Sequence, residues 1–290
     1  MTKPEWIAAD WGTTNLRLWA MQGTEVLDSR QSDQGMGKLN PDDFAGVLAD
    51  MTQGWGDAPV IACGMVGSRQ GWIEAPYGPV PLAARPRLVQ VPGQNVWIVC
   101  GVNQMDPPDV MRGEETQIAG LLAARPNFDG TICLPGTHTK WARISAGEIV
   151  SFQSFMTGEM FALLARQSVL RHTVGDPTDL GAFDAALNDA LAQPHRAYGR
   201  LFQLRAGALL GDLSPETAGG RLSGSLIGWE LAAAKPYWLG QEVCVIGAPA
   251  LSALYARALS AQGVICTEGA AQATTLAGLY SAWTTLKEHA

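Results

Sequence analysis

Asp10-Trp11-Gly12-Thr13-Thr14 puts a carboxylate at the end of an apolar run, a glycine two residues on, and then two hydroxyls. That order suits phosphate and metal chemistry. Gly12 lets backbone N–H groups approach phosphoryl oxygens, Thr13 and Thr14 add donors, and Asp10 can hold a hydrated Mg²⁺. A plain hairpin turn reads from the same letters, so this loop alone decides nothing. A second loop, Leu134-Pro135-Gly136-Thr137-His138-Thr139-Lys140, again sets a glycine before hydroxyls, here Gly136, Thr137 and Thr139. Two such loops facing one another would grip a polyphosphate, with Lys140 read as a solvated lysine beside a strand. In Val245-Ile246-Gly247-Ala248-Pro249-Ala250-Leu251 a strand passes through small residues into a helix. Gly247 and Ala248 there leave room for a nucleobase and ribose. No P-loop, no G-x-G-x-x-G after a strand and no G-x-S-x-G elbow occurs, which removes three common enzyme classes.

The elements that must carry these loops occur in two matching runs. Trp6–Ala9 reads as a buried strand, residues 16–20 as a period-two strand, and residues 25–29 as a third. Asn40-Pro41-Asp42-Asp43 reads as a helix start. From Thr131 the same order returns: strand, Gly/Thr turn, strand at Trp141–Ile144, turn, strand at Ile149–Phe155, then a helix from Thr157 through Gln167. Residues 60–64 and 96–101 are expected as further strands, 109–124 as a helix, and 243–247 and 264–267 as strands before Ala/Leu-rich helices. The expected architecture is α/β, two related lobes with a cleft between them, where small molecules usually bind. The boundaries read as 1–115 for an N-terminal lobe, 116–270 for a C-terminal lobe, and a last helix, about 271–290, packing back on the first.

Composition narrows the partners. In 290 residues, 47% are hydrophobic and 16% charged, and 20 Lys+Arg against 27 Asp+Glu give a net charge of −7. Enough apolar surface exists to fold, so disorder is excluded. An acidic chain without a basic run lacks a nucleic-acid footprint. No 18-residue stretch is apolar enough for a membrane span, and the apolar run ending at Asp10 is too short for a signal peptide. The five cysteines, Cys63, Cys100, Cys133, Cys244 and Cys266, form no C-x-x-C pair and sit in apolar runs. Reduced, strand-buried thiols in a cytoplasmic protein are expected. Scattered histidines offer no metal cluster, and ten Trp with few charges leave room for a homodimer.

At Asp10-Trp11-Gly12-Thr13-Thr14-Asn15-Leu16-Arg17 the chain resembles the first phosphate motif of the actin/hexokinase/Hsp70-like ATPase superfamily. The duplicated order of elements is similar to that fold's two ribonuclease-H-like lobes. Within it, the chain resembles the 2-dehydro-3-deoxygalactonokinase family nearly end to end. The segments carrying this are residues 63–72, with Tyr77-Gly78-Pro79; Met111-Arg112-Gly113-Glu114-Glu115-Thr116-Gln117; residues 134–141; Phe155-Met156-Thr157-Gly158-Glu159; and residues 222–228. The resemblance implies ATP and Mg²⁺ as co-substrates, and phosphorylation of 2-dehydro-3-deoxy-galactonate on its 6-hydroxyl in galactonate breakdown. Kinases for another sugar or sugar acid, such as 2-dehydro-3-deoxygluconate, and a non-catalytic sugar-acid sensor are the alternatives.

Roles follow from that chemistry. Asp10 is the candidate for Mg²⁺. Gly12, Thr13, Thr14, Arg17, Gly136, Thr137 and Thr139 are candidates for the phosphates, and Gly247 and Ala248 for the nucleoside. Phosphoryl transfer also needs a carboxylate near the attacking hydroxyl. Hexokinase-like relatives place an Asp ahead of the second phosphate strand, where this chain offers Glu114 or Glu115. A helix N-terminus there would hold a Glu ionised. For the acid's carboxylate, Arg69 in Gly67-Ser68-Arg69-Gln70-Gly71-Trp72 is the first candidate and Arg112 the second. Ser68, Gln70, Trp72 and Thr157 complete the candidate sugar-acid residues.

Overall fold

A computed structural model of the chain describes residues 3–211 and 213–289. In order, the elements are β1 (Trp6–Trp11), β2 (Leu16–Gln22), β3 (Glu25–Ser32), α1 (Phe44–Met51), β4 (Val60–Cys63), β5 (Tyr77–Pro79), β6 (Leu82–Ala83), β7 (Leu88–Gln90), β8 (Val96–Val99), β9 (Gly101–Met105), β10 (Pro108–Met111) and α2 (Glu114–Ala124). The chain continues with β11 (Gly130–Leu134), β12 (Thr139–Ser145), β13 (Glu148–Phe155), α3 (Thr157–Gln167), α4 (Leu180–Ala192), α5 (Ala197–Leu210), α6 (Pro215–Ala233), α7 (Lys235–Trp238), β14 (Val243–Gly247), α8 (Pro249–Ser260), β15 (Cys266–Ala270) and α9 (Ala271–His289). Strand, turn, strand, turn, strand, helix therefore occurs twice. Among the described residues no helix is long and apolar enough to cross a membrane.

The described chain divides into two compact units. One holds the residues up to Asp129, Ile144–Phe152 and those from Gly269; the other holds Gly130–Arg143 and Gln153–Glu268. In the first unit, β3-β2-β1-β4-β8-β7 form a six-stranded sheet and β10-β9-β5 a small one. β1 is antiparallel to β2 and parallel to β4, and the register sets Asp10 beside Cys63. That register brings the Asp10 carboxylate to the strand end where β4 hands over to Gly64. In the second unit, β14 and β11 are parallel neighbours, and the sheet order runs β15-β14-β11-β12-β13.

Each unit buries the apolar runs of its strands. Ile7, Ala9, Trp11, Leu16 and Leu18 pack with Phe44, Val60 and Ile98 on one face of the first sheet. On its other face Trp6, Trp19, Ile61 and Val99 meet Leu279, Ala282 and Trp283 of α9, and Trp6 stacks on Trp283 with ring centroids 5.4 Å apart. The second core joins Cys133, Trp141, Phe183, Ile227, Val245 and Tyr255. Strands buried on both faces explain the scarcity of charge. Cys63, Cys100, Cys133 and Cys244 are buried free thiols, while Cys266 is half-buried.

Three local expectations change. Residues 109–124 are not one helix. Pro108–Met111 is a strand paired with β9, and the helix starts only after Gly113, whose φ of 108° a helix cannot contain. Asn40–Asp43 is a turn before α1, because the Asp43 carboxylate accepts from the Asn40 amide at 2.8 Å instead of capping the helix. Lys140 is buried, at 6% exposure, not solvated.

α2 and α9 cross at glycines. A β-carbon on Gly120 would collide with the Thr274 carbonyl, and one on Gly278 with the Thr116 carbonyl. Helix propensity favours alanine over glycine by about 1 kcal/mol, but overpacking a tight crossing costs about 1–3 kcal/mol or more. Gly120→Ala and Gly278→Ala therefore lower the urea midpoint with an unchanged m-value. Gly46→Ala in α1, where nothing lies within 4 Å of the new β-carbon, raises it.

Candidate active site

The first Gly/Thr loop is held by its carbonyls. The Gly12 oxygen accepts from the Met36 amide at 2.9 Å, the Thr13 oxygen from Gly37 at 2.9 Å and the Thr14 oxygen from Gly35 at 3.2 Å. A β-carbon on Gly35 would strike the Thr14 backbone, so the brace requires glycine. With the carbonyls tied down, the amides of Thr13 and Thr14 find no backbone acceptor among the described residues. Both side chains are exposed.

Asp10 stands half-buried beside this loop, with Arg17 Nη1 3.6 Å from its carboxylate. Burial raises its pKa, and the Arg17 charge opposes the rise. Behind it two glycines meet. A β-carbon on Gly64 (φ 92°) would lie 2.9 Å from the Trp11 oxygen and 3.6 Å from Asp10 Oδ1, and one on Gly113 would lie 3.4 Å from the Gly64 Cα. The end of β1, the end of β4 and the start of α2 thereby converge.

The acids at the start of α2 fold back on their own backbone. Glu114 Oε2 accepts from the Arg112 amide at 3.0 Å and Glu115 Oε2 from the Gly113 amide at 2.6 Å. The Thr116 hydroxyl donates to Glu115 Oε1 at 3.2 Å. The helix terminus was expected to keep such a Glu ionised, but Glu115 behaves in the opposite way. Desolvation, helped by the Glu114 charge, raises its pKa to about 8 and outweighs the Gly113 amide. Burial in low dielectric disfavours the charge more than one short hydrogen bond and a helix end favour it.

Arg69 and Arg112 differ sharply. Arg69 is exposed and reaches Glu74 at 3.5 Å. Arg112 is buried: Nη2 donates to the Ala75 oxygen at 2.7 Å and Nε to Tyr77 Oη at 3.3 Å, with the guanidinium 4.3 Å over the Tyr77 ring. Among the described residues its Nη1 has no hydrogen-bond partner, and neither has the buried Ser68 hydroxyl. A β-carbon on Gly67, the residue before Ser68, would lie 2.9 Å from Nη1. Gln70 is exposed. Trp72 stacks on Phe44, centroids 5.8 Å apart, and plugs the core against Trp11.

In the second unit the other Gly/Thr loop is braced by α3. The Glu159 amide donates to the Thr137 oxygen at 2.9 Å, and a β-carbon on Gly158 would strike the Gly136 oxygen. Thr137 is exposed, but Thr139 is buried and its hydroxyl meets Tyr255 Oη at 3.0 Å. Tyr255 donates in turn to Glu230 at 2.7 Å, and Trp141 Nε1 donates to the same carboxylate at 2.7 Å. Thr157 also hydrogen-bonds Glu230, whose pKa burial raises to about 7. When Glu230 is ionised it only accepts. Tyr255 then donates to it, and the Thr139 proton turns inward to Tyr255. Thr139 and Thr157 thus spend their side chains on a buried hub beneath the loop. Gly247 packs on the loop from the end of β14, its β-carbon position 3.0 Å from both the Pro135 oxygen and Ser252 Oγ. Ala248 is exposed just ahead of that helix.

Glu230 and the Gly35–Gly37 brace escape a reading of the sequence. The one signal for Glu230 is a lone acid in the apolar stretch Ser225-Leu226-Ile227-Gly228-Trp229-Glu230-Leu231.

The family described as 2-keto-3-deoxy-galactonokinase matches residues 10–282. A 2-dehydro-3-deoxygalactonokinase of Escherichia coli (strain K12) is 39% identical over 287 residues, 95% of this chain and 96% of that protein. A solved protein from Sinorhizobium meliloti, described as a putative 2-dehydro-3-deoxygalactonokinase, superposes with a TM-score of 0.87 at 37% identity, covering 97% of this chain and 96% of its own. The activator of 2-hydroxyisocaproyl-CoA dehydratase from Clostridium difficile, solved with ADPNP, has a TM-score of 0.53 at 14% identity, covering 98% and 96%. That likeness shows the fold, which is the actin/hexokinase-like ATPase fold.

The Glu115 shift has a consequence for stability. A carboxyl whose folded pKa is raised from 4.5 to about 8 binds more protons folded than unfolded across that window. Native stability then falls as pH rises through it. Wild-type melting temperature should decline relative to that of Glu115→Gln between about pH 5 and pH 8, and run parallel to it outside. Parallel curves throughout would show that Glu115 titrates normally.

Proposed function

The chain belongs to the 2-keto-3-deoxy-galactonokinase family, and from that premise we propose that it moves the γ-phosphoryl group of ATP, with Mg²⁺, to the 6-hydroxyl of 2-dehydro-3-deoxy-galactonate. That it is an ATP-dependent sugar-acid kinase rests on relatives matched over nearly the whole chain. The position of transfer, the metal and the residue roles are our reading. The observation that carries it is the first loop, which follows Asp10 in the chain: its three carbonyls are taken by Gly35–Gly37, while the Thr13 and Thr14 amides have no backbone acceptor among the described residues.

Phosphoryl transfer is mostly positioning and charge neutralisation. In the first unit the amides and hydroxyls of Thr13 and Thr14 would hold phosphate oxygens; in the second, the Gly136 and Thr137 amides and the Thr137 hydroxyl offer the same chemistry, and exposed Ala248 leaves room for a nucleoside. Asp10 suits Mg²⁺, since a divalent cation relieves a carboxylate whose burial works against its charge. Among the described residues no three or more His, Cys, Asp and Glu are placed to cage a metal. One carboxylate with phosphate oxygens and water is the donor set Mg²⁺ usually keeps. The ion would neutralise charge on the transferring group. Glu115 would accept the hydroxyl proton, because a carboxyl with pKa about 8 is a stronger base, once ionised, than an ordinary one.

The acid's carboxylate would pair with Arg112 and not with Arg69. Among the described residues the buried Arg112 guanidinium has a nitrogen without a partner, as has the Ser68 hydroxyl, and a carboxylate supplies the acceptor such groups lack. The buried free thiols accord with a reducing, cytoplasmic setting.

A coupled ATP-to-ADP assay across aldoses, ketoses and sugar acids should give turnover with 2-dehydro-3-deoxy-galactonate above that with the gluconate epimer, and none with glucose. Activity on glucose without activity on 2-keto-3-deoxy acids would overturn the reading. Arg112→Lys, which keeps the charge but loses the fork, should raise KM for the acid about tenfold and leave KM for ATP unchanged. Arg69→Ala should leave both nearly unaltered. Glu115→Gln should lower kcat by about 10²-fold or more, and Glu114→Gln by far less.

A further inference from the structure

α4 lies on α6 so closely that a β-carbon on Gly220, Gly224 or Gly228 would strike the backbone of Asp179, Phe183 or Leu187. On the α5 side this packing opens. Between α4, the turn at Pro194–Arg196, α5 and α6 lies a cavity of about 730 Å³, walled by Arg196, Arg200, Arg221, His195, Gln203 and Asp189 among others.

The charges here run against the chain's net −7. Among the described residues, two carboxylates interact with these arginines, and both are engaged. Asp189 lies 3.0 Å from Arg200 Nη1, yet among the described residues that buried nitrogen makes no well-directed hydrogen bond. Asp179, whose charge Arg221 also feels, accepts from the Ala182 amide at 2.9 Å and the Thr217 hydroxyl at 2.8 Å. Arg196 and Arg221 are exposed to the cavity's solvent. Gathering like charges is unfavourable unless an anion shares the space. Guanidinium forks match phosphate and carboxylate, and the volume falls within the range of roughly 300–1,000 Å³ usual for small-ligand sites.

We propose that this cavity binds a small phosphorylated carboxylic acid, at a site separate from the catalytic one. None of Asp10, Gly12, Arg112, Gly136, Thr137 or Gly247 lines it. A phosphate and a carboxylate on one short carbon chain give two of the arginines an anionic group each and leave Arg200 shared with Asp189. The product of a sugar-acid kinase carries both groups. Naming the occupant as the product class rests on the proposed function; the anion site does not.

Isothermal titration without nucleotide tests this with three probes: 6-phosphogluconate, gluconate and inorganic phosphate. Wild type should bind 6-phosphogluconate more tightly than either simpler anion. The double variant Arg196→Ala/Arg221→Ala should bind it about 100-fold more weakly, roughly tenfold for each guanidinium removed from a charge-assisted hydrogen bond. Its melting temperature and its kinase turnover without added anion should be unchanged, since both side chains are exposed and outside the catalytic machinery. A saturating non-hydrolysable ATP analogue should not displace the probe. Equal binding by the double variant, or displacement by the analogue, overturns the site, and phosphate binding as tight as 6-phosphogluconate overturns the bifunctional ligand. Failure of the kinase reading shows separately, as absent turnover with every 2-keto-3-deoxy acid, while the calorimetry still decides the cavity.

Discussion

A loop can offer its amides to a phosphate only if its carbonyls are satisfied elsewhere, and that constraint organises much of this chain. Each peptide unit points N–H and C=O in opposite directions, so turning donors outward turns acceptors inward, where they must be paired. In the first unit Gly35, Met36 and Gly37 supply that pairing. In the second the Glu159 amide takes the Thr137 oxygen, and Gly158 permits the approach. The bracing segments must come within backbone contact, which is why glycine stands at both. A side chain at Gly35 or Gly158 would lift the brace off the loop before any catalytic atom was touched.

The same economy of space puts two carboxylic acids into low dielectric. Glu115 and Glu230 are both nearly inaccessible, and burial drives both pKa values up, to about 8 and about 7. Their surroundings separate them. Glu230 accepts from an indole and a phenol and braces side chains beneath a loop. Glu115 holds little more than the turn ahead of its own helix, a turn whose Gly113 packs on Gly64. A hub whose carboxylate is engaged from several sides is suited to holding geometry. An acid that holds only its own turn keeps acceptor capacity to spare and is suited to taking a proton.

What the sequence made legible was local. Asp10-Trp11-Gly12-Thr13-Thr14, the repeated strand order and the helix from Thr157 to Gln167 follow from periodicity and turn chemistry within a dozen residues, and the structure has them. Less legible was whatever depends on contacts between distant segments. Trp141 and Glu230 are 89 residues apart and Arg112 and Ala75 are 37 apart, so no window reveals that one arginine is buried while Arg69, in a richer-looking loop, is not. The run from Asp109 looked helical because Val110 and Met111 suit either state. Pairing with β9 and the positive φ of Gly113 decided it.

Net charge was the least informative quantity for the site, and there is a physical reason. At physiological salt the screening length is about 8 Å, so carboxylates spread over a surface contribute little potential inside a glycine-lined loop. What acts there is short-ranged: amide dipoles held within hydrogen-bonding distance, the start of a helix, and single guanidinium groups whose desolvation strengthens each contact. Such a site can accept anions in a chain of net charge −7, because neutral dipoles add no charge to the count. The diffuse negative surface bears instead on large polyanions, which meet many of its charges at once. The local donors, free of that field, set what the loops hold.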